Sequence, residues 1–151
     1  AKLPAYVSSS DRQQKGSTKL FELWPSLIEK AYATNQGGFA KIVGGHSDGP
    51  FAFMSGKSSP SYQTWWRSTK EIQSLIDTAR MKGHPVCVGM KNDTGKLGRR
   101  LSVVGCHVYV LWGKTGGRYQ LYNPWQSSHP SRPVTATELG KLASHIYVGE
   151  F

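Results

Sequence analysis

Residues 101–125 read LSVVGCHVYVLWGKTGGRYQLYNPW and carry the clearest β pattern in the chain. Apolar, β-branched and aromatic residues dominate Leu101–Trp112 and recur in Arg118–Tyr122, and a Gly-Gly pair lies between them in Lys114–Gly117. The pattern predicts a long strand, a tight turn and a return strand, which together form a β-hairpin.

This hairpin brings two side chains with chemical potential toward each other. With the turn at Lys114–Gly117, His107 lies in mid-strand and faces a residue near Pro124, so its side chain can meet that of Asn123. An imidazole that acts as a general base needs a second group to fix its tautomer, and an amide oxygen serves that purpose. The alternative is a core histidine satisfied by the backbone, next to an Asn-Pro turn.

Helical patterns flank the hairpin, and further strands follow from the remaining apolar runs. An apolar stripe predicts a helix over Phe21–Thr34, and a capping box at Ser68-x-x-Glu71 begins a second one. Thr135-x-x-Glu138 repeats the capping pattern before a short third helix. Val86–Met90 and His145–Phe151 are predicted as strands.

Three segments lack this periodicity and are predicted as loops. Residues 1–19 are polar and fit a connection from an upstream lobe, whereas Phe39–Ser61 is rich in Gly, Ser and Pro with one apolar patch, which allows a short strand. Lys91–Arg100 is predicted as an exposed hairpin loop. The order of elements predicts an α+β fold with two main helices, a short third and a mostly antiparallel sheet.

Length and charge set further bounds. A chain of 151 residues fits one domain or one lobe, and no apolar run approaches the roughly 18 residues of a membrane span. The 19 basic and 9 acidic residues give a net charge of +10, which favours acidic partners such as nucleic acid. The basic residues are scattered, however, and no nucleic-acid-binding motif accompanies the densest set, which is Lys91, Lys96, Arg99 and Arg100.

The two cysteines, Cys87 and Cys106, both lie in apolar strand-like runs. This placement predicts buried thiols in a reducing compartment, although neighbouring strands would let the two pair. The first residues carry no signal-peptide pattern, which fits an intracellular or delivered protein and leaves its location open.

Four ordered segments resemble the calpain-type, papain-fold cysteine proteases. Leu23–Ala33 and the following Gly44-Gly45 are similar to the family's (F/L)-W-x-x-L-(L/I)-E-K-A-Y-A helix and G-G loop, and Ile72–Val88 is similar to its helix-then-strand stretch. Gly105–Tyr109 resembles the family's G-H-A-Y-S strand, and Tyr122–Trp125 resembles its R-N-P-W-G strand end. Order and spacing agree from about Leu20 to Phe151. The resemblance implies that residues 20–151 form the C-terminal, His/Asn-bearing lobe of such a protease, acting on protein substrates.

By this resemblance His107 is the general base, Asn123 orients it and Trp125 covers the pair, while a cysteine thiolate attacks the scissile carbonyl. The family carries that cysteine in a Q-x-x-x-G-x-C-W setting upstream of the first helix, and this chain has no cysteine before Cys87. Cys106 would point to the opposite face of the strand from its neighbour His107, and an apolar setting raises the pKa of Cys87. The nucleophile is therefore expected on an upstream lobe, and the isolated chain is predicted to be inactive.

Several features depart from the family pattern. Val108, Val110 and Gln126 replace its Ala, Ser and Gly near the site. No cofactor is expected: the stretches Gly44–Gly56 and Lys91–Arg100, which correspond to the calcium loops of animal members, hold one acid each. Zinc is not expected either, because His46, His84, His129 and His145 are not spaced from the two cysteines as zinc ligands are. These four histidines are expected to be surface or packing residues.

Two other functions stay open from the sequence. One is a catalytically inactive interaction module of the same fold, and the other is a basic nucleic-acid-binding domain, which the charge permits without a motif. By analogy, the basic, short and calcium-poor chain also fits a bacterial secreted effector or toxin module.

Overall fold

A computed structural model describes residues 24–124, 127 and 129–151. The chain divides into two compact units, Ala1–Gly45 and His46–Phe151. The described part of the first holds helix α1, Trp24–Gln36, and one turn of 3-10 helix at Phe39–Lys41. The predicted helix is confirmed from Trp24 onward, whereas the predicted connection 1–19 lies outside the described residues.

The second unit is built on a five-stranded sheet in the order β1-β5-β2-β3-β4, in which every pair is antiparallel. The strands are β1 Ser61–Gln63, β2 Val86–Met90, β3 Val108–Thr115, β4 Arg118–Tyr122 and β5 Ala143–Val148. The predicted α+β class with a mostly antiparallel sheet is therefore confirmed.

The described residues of this unit form four helices: α2 Asp48–Ser55, α3 Thr69–Met81, α4 Gly95–Leu101 and α5 Ala136–Leu142. Both predicted capping boxes are present, at the starts of α3 and α5. The apolar stripe of α3 supplies Ile72 and Ile76 to the core, where they are joined by Val88, Leu139 and Ile146. No helix in the described part of the chain is long and apolar enough to cross a membrane.

The hairpin turn is tighter than the predicted Lys114–Gly117. Strand β3 continues to Thr115, which pairs with Arg118, so only Gly116 and Gly117 form the turn. Their φ angles of 55° and 74° are those of a left-handed turn that glycine adopts without strain. The ladder shifts register around Trp112, where a bulge lies between the pairs of Leu111 and Gly113.

The predicted strand Leu101–Trp112 is wrong over its first half. The predicted loop Lys91–Arg100 is wrong from Gly95 onward. Helix α4 occupies Gly95–Leu101, and β3 begins only at Val108. Between them the backbone cannot stay extended, because Ser102 and Cys106 have φ angles of 58° and 48°. Gly105 also lies so close to strand β2's end that an added Cβ would be 2.2 Å from the carbonyl oxygen of Asn92.

The predicted loop over Phe39–Ser61 is also wrong in part, since α2 forms within it. Phe51, in α2, is 8% exposed, and Gly56, with φ 69°, ends the helix in the left-handed conformation. At the C-terminus α5 runs directly into β5, which begins two residues before the predicted His145 and ends at Val148. Gly49 and Pro50, close to the start of α2, explain why the sequence pattern there indicated a loop.

Candidate active site

The side chains of His107 and Asn123 are in contact. Nε2 of the imidazole lies 2.8 Å from Oδ1 of the carboxamide. His107 directly precedes β3 and Asn123 directly follows β4, and the nearest ladder pair joins Val110 to Tyr122. The prediction that His107 lies in mid-strand is wrong, yet the hairpin still brings the two side chains together.

Neighbouring groups hold the His107 segment in place. The carbonyl of His107 accepts the backbone N–H of Met90 at 2.8 Å, which ties the segment to the end of β2. The ring of Tyr109 meets the imidazole edge-on, with centroids 5.2 Å apart, and the Tyr109 hydroxyl accepts the N–H of Val104 at 3.0 Å. Burial raises the pKa of Tyr109, so this phenol stays neutral in the physiological range.

The contact with Asn123 determines which ring nitrogen of His107 carries a proton. A carboxamide oxygen only accepts, so the short contact requires a proton on Nε2. Nδ1 is then the nitrogen at which a neutral imidazole can take a proton. The contact with the buried amide therefore sets the tautomer of His107.

A second histidine contacts the backbone of Asn123. Nδ1 of His129 accepts the Asn123 N–H at 3.0 Å, and the ring packs against Tyr122 with centroids 5.0 Å apart. The sequence predicted only a surface or packing role for His129. No local pattern indicates the contact, because the two residues lie six positions apart and outside any helix or strand.

The two cysteines differ from each other and, in one case, from the prediction. Cys106 is exposed rather than buried in a strand, and its Sγ donates to Oδ1 of Asn92 at 3.3 Å. Because its backbone is left-handed, the alternation of strand faces does not apply to it. Cys87 lies in β2 as predicted, and burial raises its pKa to about 11; both thiols are free.

The remaining predicted residues fall elsewhere. Trp125 lies outside the described residues. His46 and His145 both contact the Tyr147 ring, and Nδ1 of His46 lies 2.5 Å from the Tyr147 hydroxyl. Across the described residues, no group of three His, Cys, Asp or Glu side chains is arranged to hold a metal ion.

The antiparallel α+β lobe, with helices packed on a sheet whose hairpin ends carry a His–Asn pair, has the fold of a papain-like cysteine-protease lobe. Residues 4–129 match the family model described as calpain family cysteine protease. The chain therefore belongs to the calpain family of cysteine proteases, as its motifs predicted.

A calpain from Schistosoma mansoni is similar to this chain, with 29% identity over 120 residues. The alignment covers 72% of this chain but 15% of the relative. The chain thus spans 15% of the length of the curated relative that it matches, and the similarity concerns one part of a much larger protein.

Proposed function

We propose that this chain supplies the base-carrying part of a thiol endopeptidase site. His107 is the general base, Asn123 orients it and Trp125 covers the pair, as the resemblance implied. The observation that carries the proposal is the 2.8 Å contact between His107 Nε2 and Asn123 Oδ1, in a chain of the calpain family.

The proposed reaction begins when Nδ1 of His107 takes the proton of a cysteine thiol. The sulfur then attacks the carbonyl carbon of a peptide bond, and the imidazolium returns the proton to the leaving amine as the C–N bond breaks. Water attacks the resulting thioester with His107 again taking a proton, which releases the carboxylic acid and restores the thiol. Asn123 keeps the ring in one tautomer through both halves of the reaction.

The nucleophile belongs, in this proposal, to a lobe outside the present chain. Cys87 is a poor nucleophile because burial raises its pKa to about 11. Cys106 directly precedes His107 in the chain, and its thiol is engaged in a hydrogen bond to Oδ1 of Asn92. An upstream Cys-bearing lobe therefore completes the site, and the isolated chain is expected to be inactive.

The proposal includes no calcium. The two stretches that correspond to calcium loops in animal members contribute Asp48 and Asp93, and each carboxylate already accepts a nearby backbone N–H, from Gly49 at 3.1 Å and from Gly95 at 2.8 Å. A calcium ion needs six to eight oxygen ligands, roughly, with several carboxylates among them. These residues do not fit such a site.

The test combines this chain with the upstream Cys-bearing lobe, either as separate polypeptides or in the full-length protein. We expect cleavage of an unstructured protein substrate that disappears in His107→Ala and persists in Cys87→Ser and Cys106→Ser. His84→Ala, on a histidine remote in sequence from the pair, is the matched control. Activity retained in His107→Ala would refute the assigned base.

A catalytically inactive interaction module of the same fold is the alternative. In that case His107→Ala should lower stability by about 1–3 kcal/mol without any catalytic effect. A nucleic-acid-binding role would instead show sub-micromolar, steeply salt-dependent oligonucleotide affinity, carried by the exposed cations of α4, which are Lys96, Arg99 and Arg100. The effector or toxin hypothesis stays a prediction from charge and length.

A further inference from the structure

The imidazole of His129 contacts Tyr122, the last residue of β4, and Asn123, the residue that follows it. Its Nδ1 lies 3.0 Å from the backbone nitrogen of Asn123, and its ring lies against that of Tyr122 at an interplanar angle of 37°. Tyr122 is the last residue of the strand. A single side chain, six residues farther along, thus holds the strand end through a hydrogen bond and a ring contact.

Asn123 needs such a backbone acceptor because of its burial. The residue has no solvent-exposed surface, and a buried N–H without a partner is costly. Strand β4 ends at Tyr122, so the donor lies beyond the regular ladder and reaches His129 instead. Only an unprotonated Nδ1 accepts a hydrogen bond, which requires the neutral tautomer of His129 with its proton on Nε2.

We propose that His129 is a positioning residue for the candidate site. It fixes the main chain at Asn123 and, through it, the carboxamide that sets the tautomer of His107. This inference rests on the proposed function for its catalytic meaning, although the contacts stand independently of it. Displacement of a supporting group by about 1 Å is enough to reduce a rate by about 100-fold, so the anchor of Asn123 matters for His107.

The first test reads the tautomer of His129 directly in the folded chain. Long-range proton–nitrogen NMR spectra of the 15N-labelled protein at neutral pH should show a proton on Nε2 and none on Nδ1. A proton on Nδ1 would overturn the proposal, because a protonated nitrogen cannot accept the Asn123 N–H. This measurement needs no substitution and no activity.

Two variants then separate the acceptor from the ring. His129→Phe keeps an aromatic ring against Tyr122 but removes the acceptor, whereas His129→Asn keeps an oxygen close to the position of Nδ1 and removes the ring. We expect hydrogen exchange at the Asn123 amide to accelerate about tenfold in His129→Phe, with a weakened Nε2–H signal from His107, and to recover in His129→Asn. His84→Phe, the matched control, should change neither signal.

The outcomes distinguish this inference from the proposed function. Unchanged Asn123 exchange and an unchanged His107 signal in folded His129→Phe would overturn it, and so would a His129→Asn variant that behaves like His129→Phe. If His129→Phe does not fold, the proposal is tested by the tautomer of His129 in the wild type and by hydrogen exchange at Asn123 in His129→Asn. In the complemented protease, His129→Phe should lower kcat without raising KM, while an inactive complex with normal NMR signals would count against the proposed function alone.

Discussion

Asn123 has no exposed surface, whereas His107, which lies 2.8 Å from its carboxamide oxygen, is only half-buried. The amide is thus anchored in the interior of the lobe, whereas the imidazole in contact with it is partly exposed to solvent. Burial of the orienting partner excludes water from the hydrogen bond, which strengthens it.

Replacement of Asn123 tests this arrangement. In Asn123→Ala the imidazole loses its acceptor, so we expect kcat of the complemented protease to fall by about 100-fold, with a loss of unfolding free energy of about 1–3 kcal/mol. Steady-state kinetics and urea unfolding measure the two effects. A variant with wild-type kcat would show that Asn123 has only a structural role.

The two thiols should react at very different rates. At pH 8 a thiol with a pKa of about 11 is ionised in about one molecule in a thousand, so half-buried Cys87 should react slowly with a thiol reagent. Exposed Cys106 should give one fast equivalent. Cys106→Ser should abolish the fast phase and Cys87→Ser should leave it unchanged; the reverse pattern would contradict the described burial.

Acid should weaken the lobe through Glu138. Its carboxylate forms a two-pronged ion pair with Arg132, at 2.9 and 2.6 Å, and this hydrogen bonding lowers its pKa from 4.5 to about 2 despite partial burial. Since the folded pKa is the lower one, the stabilisation is complete above pH 4.5 and is lost as the pH falls toward 2.

Denaturant unfolding at a series of pH values measures this contribution. Glu138→Gln should be less stable than the wild type at pH 6, and the difference should shrink toward pH 2. Glu150→Gln, on an exposed carboxylate, should follow the wild-type curve throughout. A constant difference between Glu138→Gln and the wild type would contradict the assigned pKa.

The capping box of α3 should contribute measurably to stability. Ser68 accepts the N–H of Glu71, and its own N–H donates to the Glu71 carboxylate at 2.7 Å. Ser68→Ala should therefore lower the unfolding free energy by about 1 kcal/mol. Ser74→Ala, at an exposed position within the same helix, should be neutral or slightly stabilising because alanine favours helix; equal losses in both variants would exclude a capping effect.

Local signals in the sequence correctly predicted the starts of two helices and the position of one strand. The boxes at Ser68 and Thr135 define where two helices begin, and a continuous apolar run defines the strand Val86–Met90. The motif around His107 and the Asn123-Pro-Trp strand end were sufficient to indicate the family and the identity of the candidate pair. These features depend on hydrogen bonds and periodicity within a few residues, so they are visible without a fold.

Tertiary contacts decided the rest. Gly105 lies close to Asn92, and the predicted strand starts only after His107. The bulge at Trp112 shifts the register of the hairpin. The hydrogen bond from Asn123 to His129 joins two residues that lie six positions apart and outside the regular elements. Such contacts join residues whose separation in the sequence carries no pattern, and their formation depends on how the whole sheet is packed.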